Sequence, residues 1–123
     1  MNPDADDIGI KLGEDLTQLE RSYGTALQGS ANNILRFDNT KLGKVEIRLD
    51  NDNKVSRIYI RDTKYKSDKN IKVGSSRNQV RTAYGDPIRS NANIDFFSFV
   101  PGAIILIVTY HNDVVTILTI ASI

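Results

Sequence analysis

At 123 residues and 13.7 kDa, the chain has room for one domain with a real core, and 40% apolar with 25% charged residues is a globular mixture. Its 16 basic and 15 acidic side chains are spread along the sequence and leave a formal charge of +1, too little field for a dedicated nucleic-acid role. Cysteine is absent, which excludes disulfides, thiol nucleophiles and sulfur-rich metal sites.

Residues Met1–Asp7 are polar and read either as a cut end followed by a flexible linker or as a natural cytosolic start. The longest apolar run, Ala103–Val108, is far shorter than a membrane span. From Ile10 to Gly24 the chain carries IKLGEDLTQLERSYG, and from Ile71 to Gly85 it carries IKVGSSRNQVRTAYG. An offset of 61 residues aligns Ile10, Lys11, Gly13, Gln18, Tyr23 and Gly24 with Ile71, Lys72, Gly74, Gln79, Tyr84 and Gly85. The match predicts one supersecondary unit written twice: repeat 1 over 8–61, a polar connector over 62–69, and repeat 2 over 70–123, both in one compact domain.

Each copy is predicted to open on a short helix. Asp15 with Gln18, and Ser76 with Gln79, have the spacing of a capping box. Leu12, Leu16, Leu19 and Tyr23 make one apolar stripe, matched by Val73, Val80, Ala83 and Tyr84, with Arg77 standing where the first copy has Leu16. Gly24 ends the first helix, and Gly85-Asp86-Pro87 ends the second, over Arg77–Tyr84. Polar connectors follow at Gln28–Asn33 and Arg89–Asn93. Three strands are predicted in each copy: Ile34–Phe37, Lys44–Leu49 and Val55–Arg61, then Asp95–Val100, Ile104–Tyr110 and Val114–Ile120. Asp50–Asn53 and His111–Asp113 read as hairpin turns. The fold class is therefore α+β, a tandem repeat in which each short helix precedes antiparallel strands forming one continuous or two abutting sheets.

Alternation separates the two halves. Val45, Ile47 and Leu49 form one face of their strand and Lys44, Glu46 and Arg48 the other. An offset of 60 places Ile105, Ile107 and Thr109 inward in the second half and Ile104, Leu106, Val108 and Tyr110 outward, with Ile117 where Arg57 stood. An apolar outward face of that size should be covered by the other repeat, a second molecule or a partner protein. The candidate protein-binding surface is Phe96, Phe97, Phe99, Leu106, Val108, Tyr110 and Ile117.

No catalytic set is legible. His111 is the single histidine and adjoins a turn, and no carboxylate–histidine–nucleophile arrangement can be assembled. Asp50-Asn51-Asp52-Asn53 alternates oxygen ligands and invites a test for calcium, but it lacks the glycine and glutamate of an EF-hand loop, and turn propensity accounts for it. Gly9, Gly13 and Gly24 do not form a phosphate-binding fingerprint. Lys64, Lys66, Lys69 and Lys72 are interrupted by Asp62 and Asp68. The expectation is no enzyme, no cofactor, no metal and no nucleic-acid partner.

Ile71-Lys72-Val73-Gly74, Val80 and Tyr84-Gly85-Asp86-Pro87, with weaker twins Ile10-Lys11-Leu12-Gly13, Leu19 and Tyr23-Gly24, resemble the SmpA/OmlA outer-membrane lipoprotein family and the wider β-lactamase-inhibitor-like fold. With Tyr65-Lys66 leading into the second copy, the arrangement looks closer to uncharacterised secreted or lipoprotein domains of Gram-positive bacteria. The resemblance implies an extracellular or cell-envelope location, a lipid anchor upstream, and a non-enzymatic protein-binding or structural role through a protein partner or self-association. The alternatives are an inhibitor of a secreted enzyme acting through its sheet face, and a small-ligand or carbohydrate-binding module.

Overall fold

The structure, a computed structural model, describes Leu12, Gly13, Asp15 and residues 34–39, 43–67, 69–100 and 104–122. Strands β1 (Ile34–Asn39), β2 (Gly43–Leu49) and β3 (Val55–Ile60) come first. Helix α1 (Arg77–Tyr84) follows, then β4 (Arg89–Ser90), β5 (Ile94–Val100), β6 (Ile104–His111) and β7 (Val114–Ser122). All seven strands form one antiparallel sheet in the order β1-β2-β3-β7-β6-β5-β4.

Local chemistry sets the boundaries. Asp50 Oδ1 accepts the N–H groups of Asp52 (2.8 Å) and Lys54 (3.1 Å), closing the β2–β3 turn on itself, and Asn53 takes φ 59° to complete it. Between β6 and β7, Asn112 and Asp113 both hold positive φ (52° and 60°), the backbone of a two-residue turn that matches strand twist. Ahead of α1, Ser76 Oγ accepts the Gln79 N–H while Gln79 Oε1 accepts the Ser76 N–H, the capping box that the sequence spells. Gly85 (φ 82°) ends the helix, its N–H donating to Arg81 O at 2.8 Å. Gly74 (φ 102°) takes a backbone conformation that side chains resist, and there its N–H reaches Val115 O at 2.9 Å.

The core lies on one face of the sheet. Phe37, Ile47, Ile58, Ile60, Leu118 and Ile120 point to it from four strands, and Val80 of α1 is fully buried against it. Tyr84 meets Phe97 with ring centroids 5.7 Å apart.

Two expectations are corrected here. Among the described residues there is one helix, packed on one continuous seven-stranded sheet, so the β-lactamase-inhibitor-like tandem repeat of helix-plus-strand units does not describe the fold. The strand sets are not separate modules, because β3 and β7 pair directly over Arg57–Ile60 and share one core. The first predicted helix and the Gln28–Asn33 connector lie outside the described residues, apart from Gly13 and Asp15, which pack their backbones against β3 and its approach through Val55 O and Lys54. The Arg89–Asn93 connector contains β4, a two-residue strand formed because Arg89 and Ser90 pair with Phe96 and Asp95.

The second correction concerns facing. Leu106, Val108 and Tyr110 are buried in the core at 3% exposure or less, and Ile104 packs against it, while Ile105 and Thr109 lie on the opposite face. The step from core residue Tyr110 to core residue Val115 is one residue shorter than that from Leu49 to Val55, so the offset of 60 that holds beyond the turn is wrong before it. A one-residue slip in a strand exchanges its two faces. Leu106→Ala should therefore lower the urea-unfolding free energy by about 2–5 kcal/mol, and Ile105→Ala by less than about 1 kcal/mol.

Candidate functional site

Two features stand out on this scaffold: a buried ionic cluster under α1, and the sheet face that α1 does not cover.

The cluster centres on Asp95, which β5 directs to the core face between α1 and the sheet, with no side-chain exposure. Its Oδ1 accepts hydrogen bonds from Arg77 Nη2 (2.9 Å), Arg81 Nη2 (2.9 Å) and Ser90 Oγ (2.7 Å). Its Oδ2 accepts from Arg77 Nε (3.3 Å), Arg81 Nε (3.1 Å) and the Tyr110 hydroxyl (2.9 Å). Arg77 and Arg81 stand four residues apart, so one face of α1 presents both guanidinium groups. Arg77 also donates to Ala92 O and Asn91 O, both at 2.7 Å, and its guanidinium lies 4.6 Å from the Tyr110 ring centroid.

Burial pushes the Asp95 carboxyl up, but hydrogen bonds from Arg81, Arg77, Ser90 and Tyr110 outweigh it and hold the group well below the usual carboxylate range. Burial, then the bond to Asp95 and the negative charge of Asp95, push the Tyr110 hydroxyl up. Both oxygens of Asp95 are saturated and Tyr110 is held as a neutral donor. The cluster is thus closed on itself: it pins α1 to the β4–β5 edge and offers no free base or nucleophile.

The other face is mapped by the strand register. One row crosses all seven strands: Arg36, Glu46, Tyr59, Thr119, Ile107, Phe96 and Arg89. The next row runs Ile34, Arg48, Arg57, Ala121, Ile105 and Ser98. Strands β1–β3 thus contribute charge and β5–β7 contribute apolar surface. Glu46 pairs with Arg36 (3.3 Å) and Arg61 (3.2 Å), and the Arg61 guanidinium lies 5.5 Å from the Tyr59 ring centroid. Arg48 and Arg57 face each other across β2 and β3, and neither side chain makes a hydrogen bond or ion pair among the described residues. No described element lies over this face.

The predicted surface residues divide between the two faces. Phe96 and Ile117 are half-buried on the open face. Phe97, Leu106, Val108 and Tyr110 belong to the core side and cannot present themselves to a partner. Phe99 lies on β5, with its side chain outside the described ones. The sequence reading missed Ile94, Ile105 and Ile107 as members of the open apolar half, and missed Asp95 altogether. The signal for Asp95 was present: Arg77 interrupts an apolar helical stripe, and Asp95 shares its alternation with Phe97. His111 is exposed at the end of β6. Among the described residues no group of three or more His, Cys, Asp or Glu side chains is placed to hold a metal ion, and no helix is long and apolar enough to cross a membrane. A cavity of about 340 Å3 at the β1–β2 end is lined mainly by Arg36, Lys44, Glu46, Arg61 and Asp62, with Phe37 its one aromatic.

The fold occurs in solved Bacillus structures. One is a DUF4309 family protein (YjgB) from Bacillus subtilis subsp. subtilis strain 168, with a TM-score of 0.69 and 10% identity over 94% of this chain and 84% of that one. Another is an extracellular protein containing an SCP domain from Bacillus anthracis strain Ames, with a TM-score of 0.66 and 12% identity over 98% of this chain. The present chain spans about half of that protein, 47% of its length. Neither a protein-family model nor a curated protein matches the sequence.

The ionic cluster makes an acid-range prediction. A carboxyl whose folded pKa is depressed adds stability above its unfolded value of about 3.9, and that stability is lost as pH falls toward the folded value. Asp95→Asn should cost about 3–5 kcal/mol at neutral pH, because two guanidinium groups lose their counter-charge. Below about pH 4 the gap between variant and wild type should narrow, as read by denaturant unfolding at stepped pH.

Proposed function

We propose that this protein is a non-catalytic domain of the cell exterior or envelope that binds another protein through the open face of its sheet. The observation that carries the reading is the set of half-buried side chains Tyr59, Phe96, Ile105 and Ile117 on the sheet face over which no described element packs. Surfaces of this make-up, apolar at the centre and charged at one side, are the usual ground for protein contacts. The self-satisfied Asp95 cluster weighs against catalysis, since the best-organised polar group in the fold has no capacity left for a substrate. A carbohydrate module would present aromatic platforms in a cleft, and among the described residues lining the cavity at the β1–β2 end Phe37 is the one aromatic. Extracellular placement draws support from the likeness to the Bacillus anthracis extracellular protein. An inhibitor of a secreted enzyme is the special case in which the partner is an enzyme.

The test is site-directed photo-crosslinking. p-Benzoylphenylalanine is placed at Phe96 on the open face or at exposed Lys66, and the full chain is mixed with secreted and surface proteins of a Bacillus culture. Discrete adducts from position 96 and none from position 66 are expected. Equal, diffuse labelling from both positions would refute a dedicated surface.

A further inference from the structure

The open face is not uniformly apolar, and its charged half narrows what it can bind. Arg48 and Arg57 occupy directly opposed positions on neighbouring antiparallel strands. Like charges so placed destabilise a sheet. Among the described residues no carboxylate is paired with either: Ile34 flanks Arg48 on β1 and Ala121 flanks Arg57 on β7, and the nearby Glu46 is engaged by Arg36 and Arg61. Two arginines at opposed positions of one sheet face offer planar donor forks to carboxylates, which a lysine pair would not supply.

Beside this pair the same rows continue into apolar residues: Ile105 and Phe96 keep part of their surface, while Ala121 is 0%, Thr119 4% and Ile107 8% exposed. Half-buried Ile105 and Phe96 give a partner's apolar side chains a surface to cover. They do not stand out from the sheet as side chains inserted into a lipid headgroup layer would, and they give the phosphate track of a duplex nothing to bond. The geometry points to an acidic protein segment as the occupant, its carboxylates seated on Arg48 and Arg57 and its apolar side chains over Ile105 and Phe96. This inference rests on the proposed protein-binding role and specifies the chemistry of the partner.

The experiment reads fluorescence anisotropy of a fluorescein-labelled peptide carrying a glutamate run followed by Leu-Phe-Val-Leu, titrated with the full chain. The double variant R48Q/R57Q should bind at least about tenfold more weakly than wild type, the loss expected for charge-assisted hydrogen bonds. Its melting temperature should be unchanged or higher, because a like-charge opposition has been removed; this separates lost binding from lost folding. Absence of binding, equal binding by the double variant, or equal binding of a peptide with lysines in place of glutamates would each overturn the inference. So would tighter, R48Q/R57Q-sensitive binding to phosphatidylserine vesicles or to a DNA duplex, which would assign the pair to phosphate. If position 96 still yields discrete crosslinks in the R48Q/R57Q background with undiminished intensity, the protein-binding role stands and the acidic-segment inference alone falls.

Discussion

The pairing of β3 with β7 sets which residues share a face, and most other features follow from it. Ile58 and Ile60 meet Ile120 and Leu118 on the inner side, and all four are at most 2% exposed, so the junction lies at the centre of the core. The alternate pairs place Arg57 and Tyr59 against Ala121 and Thr119 on the outer side. The seam that makes the two strand sets one sheet is therefore also the border between the charged and apolar halves of the open face. Sheet continuity and surface character have a common origin in four register pairs.

The second constraint is electrostatic. Taking a carboxylate fully out of water is costly, and an isolated buried ion would protonate instead. Asp95 stays charged because donors converge on it from three elements, α1, β4 and β6. Such a group contributes more to specificity than to bulk stability: an apolar helix face could slide over an apolar sheet, whereas two arginines on one carboxylate allow one position. Arg77 adds backbone acceptors at Asn91 and Ala92 and a face-on contact with Tyr110, so the β4–β5 loop is held by the same side chain that docks the helix.

Much of this was legible in the residues themselves. Strand positions followed from alternation and turn chemistry, and the bounds of α1 from Ser76, Gln79 and Gly85, because these signals are local. What failed was long-range. The facing of β6 depended on where a single residue is dropped, and the shortened His111–Asp113 turn moved that point to the wrong side of the strand. Periodicity cannot correct such a slip when both faces are apolar, as Ile104–Val108 illustrates. The Asp95 cluster was hidden for a related reason: its members come from four segments, and only strand register brings them together. The segregation of arginines on the open face was concealed by a near-neutral total, since net charge carries no information about which face a charge occupies. The repeated Ile-Lys-x-Gly segment suggested two modules, yet the sheet unites the strands into one layer.

The two residues of β4 have a further effect. An antiparallel sheet ending on a long, bare strand invites another chain to add to it, and β5, with its phenylalanines, would be such a strand. Arg89 and Ser90 occupy part of that edge, and Ser90 simultaneously donates to Asp95. Sheet termination and helix docking thus run through one hydroxyl, so partial undocking of α1 would loosen the guard strand as well. The cover over the β5 edge is tied to the integrity of the helix.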